Sequence, residues 1–162
     1  MTKRVGLILS GAGVFDGTEL HEAVLCLLAL DRANAKVTVI APDKPLTHVI
    51  DHQTGTIEEG AQRNLRSEAA RIARGPVSTP AEVDPKQFDA LLLAGGFGVA
   101  KNLSSWAFEG ANCSVDPDVA DLLRGVHEHG GWIGACCIAP VLLAKVFGAP
   151  IQVTIGRGDA EH

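Results

Sequence analysis

Short apolar runs alternate along the chain with stretches whose apolar residues recur every three or four positions. The apolar runs predict strands at residues 5–10, 36–40, 88–94, 132–136 and 151–155. The helical periodicity predicts helices at residues 18–33, 63–74, 116–129 and 140–147. Residues 88–94 are apolar without alternation, which indicates a strand buried on both faces. This order of elements predicts an α/β fold with a mainly parallel sheet and helices on both of its faces.

The composition is that of one globular domain, to which we assign residues 1–162. Hydrophobic residues make up 46% of the 162 positions, and the formal net charge is -5. The acidic balance and the lack of a Lys/Arg cluster argue against a nucleic acid as the main partner, because phosphates need a basic face. No apolar run reaches the roughly 20 residues that cross a bilayer. No signal-peptide pattern precedes the first strand. These features predict a cytoplasmic protein without membrane contact.

The turn Gly-Trp-Ile-Gly-Ala-Cys-Cys-Ile-Ala-Pro at residues 131–140 carries the central chemistry of the chain. Cys137 stands where a buried strand must turn into a helix, and Ala135 and Ala139 flank it two residues away on either side. Small neighbours at this spacing are typical of a nucleophile elbow. The helix N-terminus that follows is expected to favour the thiolate, which is the reactive form. We therefore predict Cys137 as the nucleophile.

Carboxylates crowd the start of the first predicted helix, where Asp16, Glu19 and Glu22 follow a glycine-rich loop. The glycine spacing departs from a dinucleotide fingerprint, and the negative charge is wrong for a pyrophosphate. Asp16 and Glu19 are expected to cap the helix and offset its dipole. Glu22 lies beyond the capping turn and can point its carboxyl group at Cys137. A shared proton there would depress the pKa of the thiol and supply an acid–base group.

The loop after the most apolar predicted strand begins with Gly95, Gly96 and Phe97. A glycine pair lets backbone N–H groups approach a bound atom closely, although a plain turn uses the same residues. We predict that the N–H groups of Gly96 and Ile138 form an oxyanion hole for a carbonyl attacked by Cys137. Gly95 and Phe97 are candidate neighbours of the same pocket.

Histidines offer alternatives away from this turn. His48, Asp51 and His52 could hold a metal ion, but their loop lacks further ligands, and hydrogen bonds that anchor the loop explain them more simply. His21 adjoins Glu22 in the sequence and should therefore point to a different face of the helix. His129 ends a helix, where its positive charge interacts favourably with the helix dipole. We therefore predict no metal site.

The four cysteines show neither zinc spacing nor a disulfide framework, which predicts free thiols in a reducing compartment. Cys26 and Cys136 fit packing roles. Cys113 lies in a loop that could approach Cys137.

Several motifs, in the same order, resemble the ThiJ/PfpI superfamily, which is related to class I glutamine amidotransferase domains. They are Leu-Ala-Gly-Gly-Phe-Gly-x-Ala-Lys-Asn-Leu at 93–103, the Cys-Ile-Ala-Pro elbow at 137–140 and the acidic helix start at 16–22. Segments 10–17, 51–52, 63–64 and 70–75 further resemble the ElbB branch, which is named for enhancing lycopene biosynthesis, an isoprenoid route. The resemblance runs from residue 4 to residue 156.

This resemblance implies a flavodoxin-like three-layer sandwich, often a homodimer. The superfamily includes cofactor-independent glyoxalases. Those enzymes convert glyoxal or methylglyoxal into hydroxy acids without a metal or organic cofactor. By resemblance, Cys137 is the nucleophile, Glu22 the neighbouring acid and Gly96 an oxyanion donor. The thiol would attack the aldehyde, Glu22 would move a proton between adjacent carbons, and water would release the acid.

Two features depart from the resemblance. Many superfamily members place a triad histidine after the strand that corresponds to 153–155, whereas residues 154–158 here read Thr-Ile-Gly-Arg-Gly. A thiol without that base suits aldehydes or oxidants rather than peptide bonds. ElbB relatives also continue through another helix, strand and closing helix, so we expect the domain to be incomplete at its C-terminus.

Two function classes follow from these residues. The first is an enzyme that acts on small dicarbonyls. The alternative is a thiol redox sensor or regulatory binding protein linked to isoprenoid biosynthesis, since the same reactive thiol serves both roles.

Overall fold

The computed structural model describes residues 1–154. The strands are β1 (Arg4–Ile8), β2 (Lys36–Ile40), β3 (Ile50–Asp51), β4 (Thr56–Ile57), β5 (Ala90–Leu93) and β6 (Trp132–Ala135). The helices are α1 (Leu20–Arg32), α2 (Leu65–Ala73), α3 (Phe97–Lys101), α4 (Trp106–Glu109), α5 (Pro117–Glu128) and α6 (Pro140–Phe147). Short 3₁₀ turns occupy Pro80–Glu82, Pro85–Gln87 and Gly110–Asn112.

Four strands form one parallel sheet in the order β2-β1-β5-β6, while β3 and β4 pair as a small antiparallel hairpin. Ile8 of β1 is in register with Ile40 of β2 and with Leu93 of β5, which in turn faces Ala135 of β6. The four strands therefore end at the same level. Since ligands bind beyond the carboxyl ends of such strands, the loops after β1, β5 and β6 share one functional edge.

Helices cover both faces of this sheet. The crossover through α1 runs from β1 to β2, and the crossover through α5 runs the opposite way, from β5 to β6. Because such crossovers are right-handed, the two helices lie on opposite faces. Leu7 and Ile8 of β1, and Leu9 directly after it, are fully buried. The predicted α/β fold with a mainly parallel sheet is confirmed.

The start of α1 separates two carboxylates that were expected to act alike. Glu19 is the N-cap, and its Oε2 accepts a hydrogen bond of 2.7 Å from the N–H of Glu22, as expected. The expectation for Asp16 is wrong. Its Oδ2 accepts a 2.7 Å hydrogen bond from the N–H of Ile50, because the tight turn from Gly13 to Gly17 aims Asp16 at β3 rather than at the helix.

The strand predicted at residues 151–155 is a second correction. Residues 151–154 join no strand ladder in the part of the chain that the structure describes, and residue 155 lies outside it. Apolar alternation becomes a strand only where the backbone finds a hydrogen-bonded neighbour. Ile151 and Val153 instead line a groove of about 420 Å³ beside Trp132, on the outer edge of β6. Among residues 1–154, no helix is long and apolar enough to cross a membrane.

Candidate active site

Cys137 occupies a strained turn between β6 and α6. Its φ is +54°, a left-handed value that side chains other than glycine rarely adopt, and its side chain is exposed. The flanking Ala139 is fully buried beneath the turn, where a larger side chain would displace the nucleophile. The turn has the backbone geometry expected of a nucleophile elbow, and the role of Cys137 as nucleophile stays a prediction.

Glu22, in the first turn of α1, is held beside Cys137 by the backbone of the neighbouring loop. Its Oε2 accepts a 2.8 Å hydrogen bond from the N–H of Gly95, and the carbonyl of Gly95 accepts a 3.0 Å hydrogen bond from the N–H of Glu19. A Cβ placed on Gly95 would lie 2.6 Å from the Cβ of Cys137 and 2.7 Å from Oε2 of Glu22. The two side chains therefore converge on a volume that stays open only because residue 95 is glycine.

Two backbone N–H groups act on the thiol of Cys137. They belong to Gly96, which follows β5 with a φ of +98°, and to Ile138, the next residue in the elbow. Their hydrogen bonds act to lower the pKa of the Cys137 thiol. The two predicted oxyanion donors thus both act on this thiol, whereas the N–H of Gly95 is used to hold Glu22.

The net effect on the nucleophile differs from the expected thiolate stabilisation. Burial raises the pKa of the Cys137 thiol, and the negative charge and hydrogen bonding of Glu22 raise the pKa further, against the smaller effect of Ile138 and Gly96. The sign is opposite to the expectation because the negative charge of Glu22 and its hydrogen bonding with the thiol both favour the protonated form of Cys137. The surroundings of Cys137 therefore favour its thiol form, with the Glu22 side chain beside it.

Phe97 lies at the mouth of this arrangement. It begins α3 directly after Gly96, and its side chain is 47% exposed. The Nζ of Lys101 lies 5.4 Å from the centre of its ring and donates a 3.1 Å hydrogen bond to the carbonyl of Phe15. This contact fixes Phe97 as an apolar surface next to the Gly96 donor.

The histidines lie in structural positions. His21 is 89% exposed and pairs with Glu19 at 2.7 Å. His129 caps the end of α5, with its ring nitrogens 2.7 and 3.0 Å from the carbonyls of Gly125 and Phe88. His129 therefore lies at the end of the sheet away from the elbow.

The loop with His48, Asp51 and His52 is anchored by hydrogen bonds, as expected. Nδ1 of His52 lies 3.0 Å from the carbonyl of Ile50, and its Nε2 accepts a 3.2 Å hydrogen bond from the N–H of Phe15. Asp51 accepts from the N–H two residues later, and the ring of His48 packs edge-on against an aromatic neighbour. Within residues 1–154, no three His, Cys, Asp or Glu side chains are grouped to hold a metal ion.

The sequence reasoning missed one pair of residues beside the nucleophile. Cys26 and Cys136 lie near each other, and both side chains are half-buried. Burial, followed by the charge and hydrogen bonding of Cys136, raises the pKa of Cys26 to about 11. A sequence signal existed, because Cys26 follows Glu22 by four residues and therefore shares its helix face.

Comparison with known proteins places this architecture in a family. A DJ-1/PfpI family profile matches residues 12–150. The chain belongs to the DJ-1/PfpI family. It is 49% identical over 158 residues to the Homo sapiens glutamine amidotransferase-like class 1 domain-containing protein 3, mitochondrial. It is 48% identical over 158 residues to the Rattus norvegicus ES1 protein homolog, mitochondrial. Each alignment covers 98% of this chain and 59% of the relative.

A solved structure supports the same assignment. The isoprenoid biosynthesis protein with amidotransferase-like domain from Ehrlichia chaffeensis superposes with a TM-score of 0.82 at 38% identity, over 88% of this chain and 67% of that chain. The chain thus spans less than two thirds of the length of the human and rat relatives.

The relatives also correct the predicted location. The human and rat proteins are both named as mitochondrial, so the expectation of a cytoplasmic protein is wrong. The sequence features behind that expectation, which were the length of the apolar runs and the residues before the first strand, do not identify a compartment.

Proposed function

We propose that this DJ-1/PfpI family protein converts small dicarbonyls such as glyoxal and methylglyoxal into hydroxy acids through a hemithioacetal on Cys137. The observation that carries the proposal is the carboxylate of Glu22, which is held at the thiol by the N–H of Gly95. The branch of the family is the ElbB branch, a proposal supported by 38% identity to a protein described as an isoprenoid biosynthesis protein.

The proposed reaction uses groups already placed around the sulfur. The sulfur of Cys137 attacks one aldehyde carbon while the thiol proton passes to Glu22, and the N–H groups of Gly96 and Ile138 receive the developing oxyanion. Glu22 returns the proton to that oxygen, which gives the hemithioacetal and restores the carboxylate. Glu22 then removes the hydrogen of this carbon as a proton and returns a proton to the adjacent carbonyl carbon, while the hydroxyl proton moves to the oxygen on that adjacent carbon, which leaves a thioester. Water cleaves the thioester, frees the thiol and releases the hydroxy acid.

Turnover of glyoxal tests this proposal directly. Wild type, Cys137→Ala and Glu22→Gln proteins are compared by the rate of glycolate formation, with the exposed Glu128→Gln on α5 as the matched charge control. We expect loss of turnover in Cys137→Ala, a loss on the order of 10²-fold or more in Glu22→Gln and wild-type rates in the control. Equal trace rates in all four proteins would refute the enzyme proposal.

A thiol redox sensor is the second candidate. Cys137 is exposed, and the N–H groups of Gly96 and Ile138 that act on its thiol would also bind the oxygens of a sulfinate. Peroxide titration followed by intact-mass measurement separates the two candidates. Oxygen addition confined to Cys137, in a protein without glyoxal turnover, would favour the sensor.

We further propose that the protein acts as a homodimer in mitochondria, as the names of the relatives suggest for the compartment. Four large apolar side chains of α1 are 41–62% exposed, at positions Leu20, Val24, Leu25 and Leu28. An apolar helix face of this kind is stabilised by a protein partner. A monomeric solution mass for the full-length protein would contradict the dimer.

A further inference from the structure

The short helix α3 is bound at both of its ends to the glycine-rich loop, residues 10–17, that follows β1. At the start of the helix, the N–H groups of Phe97 and Gly98 each donate a 2.8 Å hydrogen bond to a carbonyl of this loop. At the end of the helix, the side chain of Asn102 returns to the same loop. The glycine-rich loop and α3 therefore form one hydrogen-bonded unit.

Asn102 uses both polar atoms of its side chain in this unit. Its Nδ2 donates hydrogen bonds of 3.1 Å and 2.8 Å to the carbonyls of Ser10 and Asp16, which lie near the two ends of the glycine-rich loop. Its Oδ1 accepts a 3.0 Å hydrogen bond from the N–H of Thr47. Asn102 is only 4% exposed, so a lost hydrogen bond would leave a buried polar group without a partner.

The glycine-rich loop in turn packs against the residues beside Cys137. A Cβ on Gly96 would collide with the backbone of residues 17–19, so Gly96 lies directly on the end of the loop. On the other side, a Cβ on Gly95 would lie 2.6 Å from the Cβ of Cys137. Gly95 and Gly96 are thus held between the glycine-rich loop and the elbow, and the position of the loop sets their approach to the thiol.

We propose that Asn102 is a positioning residue for the Cys137 site, which holds the glycine-rich loop so that Gly96 presents its backbone N–H to the thiol. An amide suits this role because it donates two hydrogen bonds to the loop while it accepts one from another segment. As a role in turnover, the inference rests on the proposed function. As a role in placing Gly96, it is measured on the thiol alone.

The pH profile of Cys137 alkylation by iodoacetamide tests this role in the full-length protein, with Cys137 assigned by fragment-ion mass spectrometry. Asn102→Ala removes both donors and the acceptor. The hydrogen bond from the N–H of Gly96 lowers the pKa of the Cys137 thiol, so its displacement should raise that pKa. We expect the profile of Asn102→Ala to move upward by about one pH unit, the size of one lost hydrogen bond to a charged group.

Two controls separate positioning from stability. Thr47→Val removes the hydroxyl that donates to the carbonyl of Lys101 but keeps the N–H that donates to Asn102. Leu122→Ala, at a buried position of α5, lowers stability through the core. We expect both to keep the wild-type pH profile. Asn102→Ser keeps one donor, so it should show a smaller shift and supplies the comparison if Asn102→Ala does not fold.

An unshifted profile in a folded Asn102 variant would overturn the positioning role. An equal shift in Leu122→Ala would also overturn it, because the effect would then follow from lost stability. The value of kcat/KM for glyoxal should fall on the order of 10²-fold in Asn102→Ala. Absence of glyoxal turnover in the wild type would refute the proposed function, whereas the pH profile would still decide the role of Asn102.

Discussion

Adding one methyl group to Gly95 should separate the nucleophile from its carboxylate without removing any functional group. Gly95→Ala keeps the backbone N–H that bonds to Oε2 of Glu22. The new Cβ would stand 2.6 Å from the Cβ of Cys137 and 2.7 Å from Oε2 of Glu22. Residue 95 is therefore a steric probe of the geometry between the two groups.

The two short distances from the added Cβ set the expected loss of activity. Carbon atoms normally pack at about 3.5–4.0 Å from one another, so the elbow and the Glu22 carboxylate must move apart by about 1 Å to make room for the Cβ. A misplacement of about 1 Å at a reacting centre can lower the rate on the order of 10²-fold. Overpacking costs about 1–3 kcal/mol of unfolding free energy, which leaves the protein folded if its stability is typical.

The assay combines kcat/KM for glyoxal with the rate of Cys137 alkylation by iodoacetamide. We expect both to change in Gly95→Ala, with turnover falling about 10²-fold. Gly75→Ala is the matched control, because its added Cβ would meet nothing nearer than a carbonyl oxygen at 3.9 Å. Wild-type turnover and alkylation in a folded Gly95→Ala protein would refute the close approach of Cys137 and Glu22.

Three further predictions concern charge and packing. Glu22→Gln should lower the pKa of the Cys137 thiol, because it removes the negative charge that raises this pKa; an unshifted pH profile of alkylation would contradict this. Hydrogen bonds to the carbonyls of Gly125 and Phe88 raise the pKa of His129, so its contribution to stability is full below about pH 6.5 and is lost as the pH rises through the folded-state pKa. His129→Gln should therefore lower Tm more at about pH 5.5 than at about pH 8.5, and an equal loss at both would argue against it. Leu93→Ala, at a fully buried position, should cost about 2–5 kcal/mol in urea unfolding, and a cost below about 1 kcal/mol would contradict its core position.

Local sequence patterns predicted the strands of the main sheet and the helices that cover it, because each carries its own period of apolar residues. The sequence predicted three of the longer helices and all four strands of the main sheet, with ends displaced by a few residues. These elements are α1, α5, α6, β1, β2, β5 and β6. The strand predicted at 151–155 failed over its described part because pairing needs a neighbouring backbone, which a local pattern does not specify. Asp16 failed for a related reason, since its partner, the N–H of Ile50, lies 34 positions away.

The sequence by itself determined the α/β class and the small-residue turn that exposes Cys137, because both depend on side chains within a few positions of each other. It also marked Glu22, Gly96 and Ile138 as candidates. Only the tertiary structure decided that the N–H of Gly95 holds Glu22 and that the pKa of the Cys137 thiol is raised rather than lowered. The burial of the Cys137 thiol and the charge beside it depend on three segments that are far apart in the chain. These segments are α1, the loop after β5 and the elbow. The proximity of Cys26 and Cys136 arises in the same way, between residues 110 positions apart.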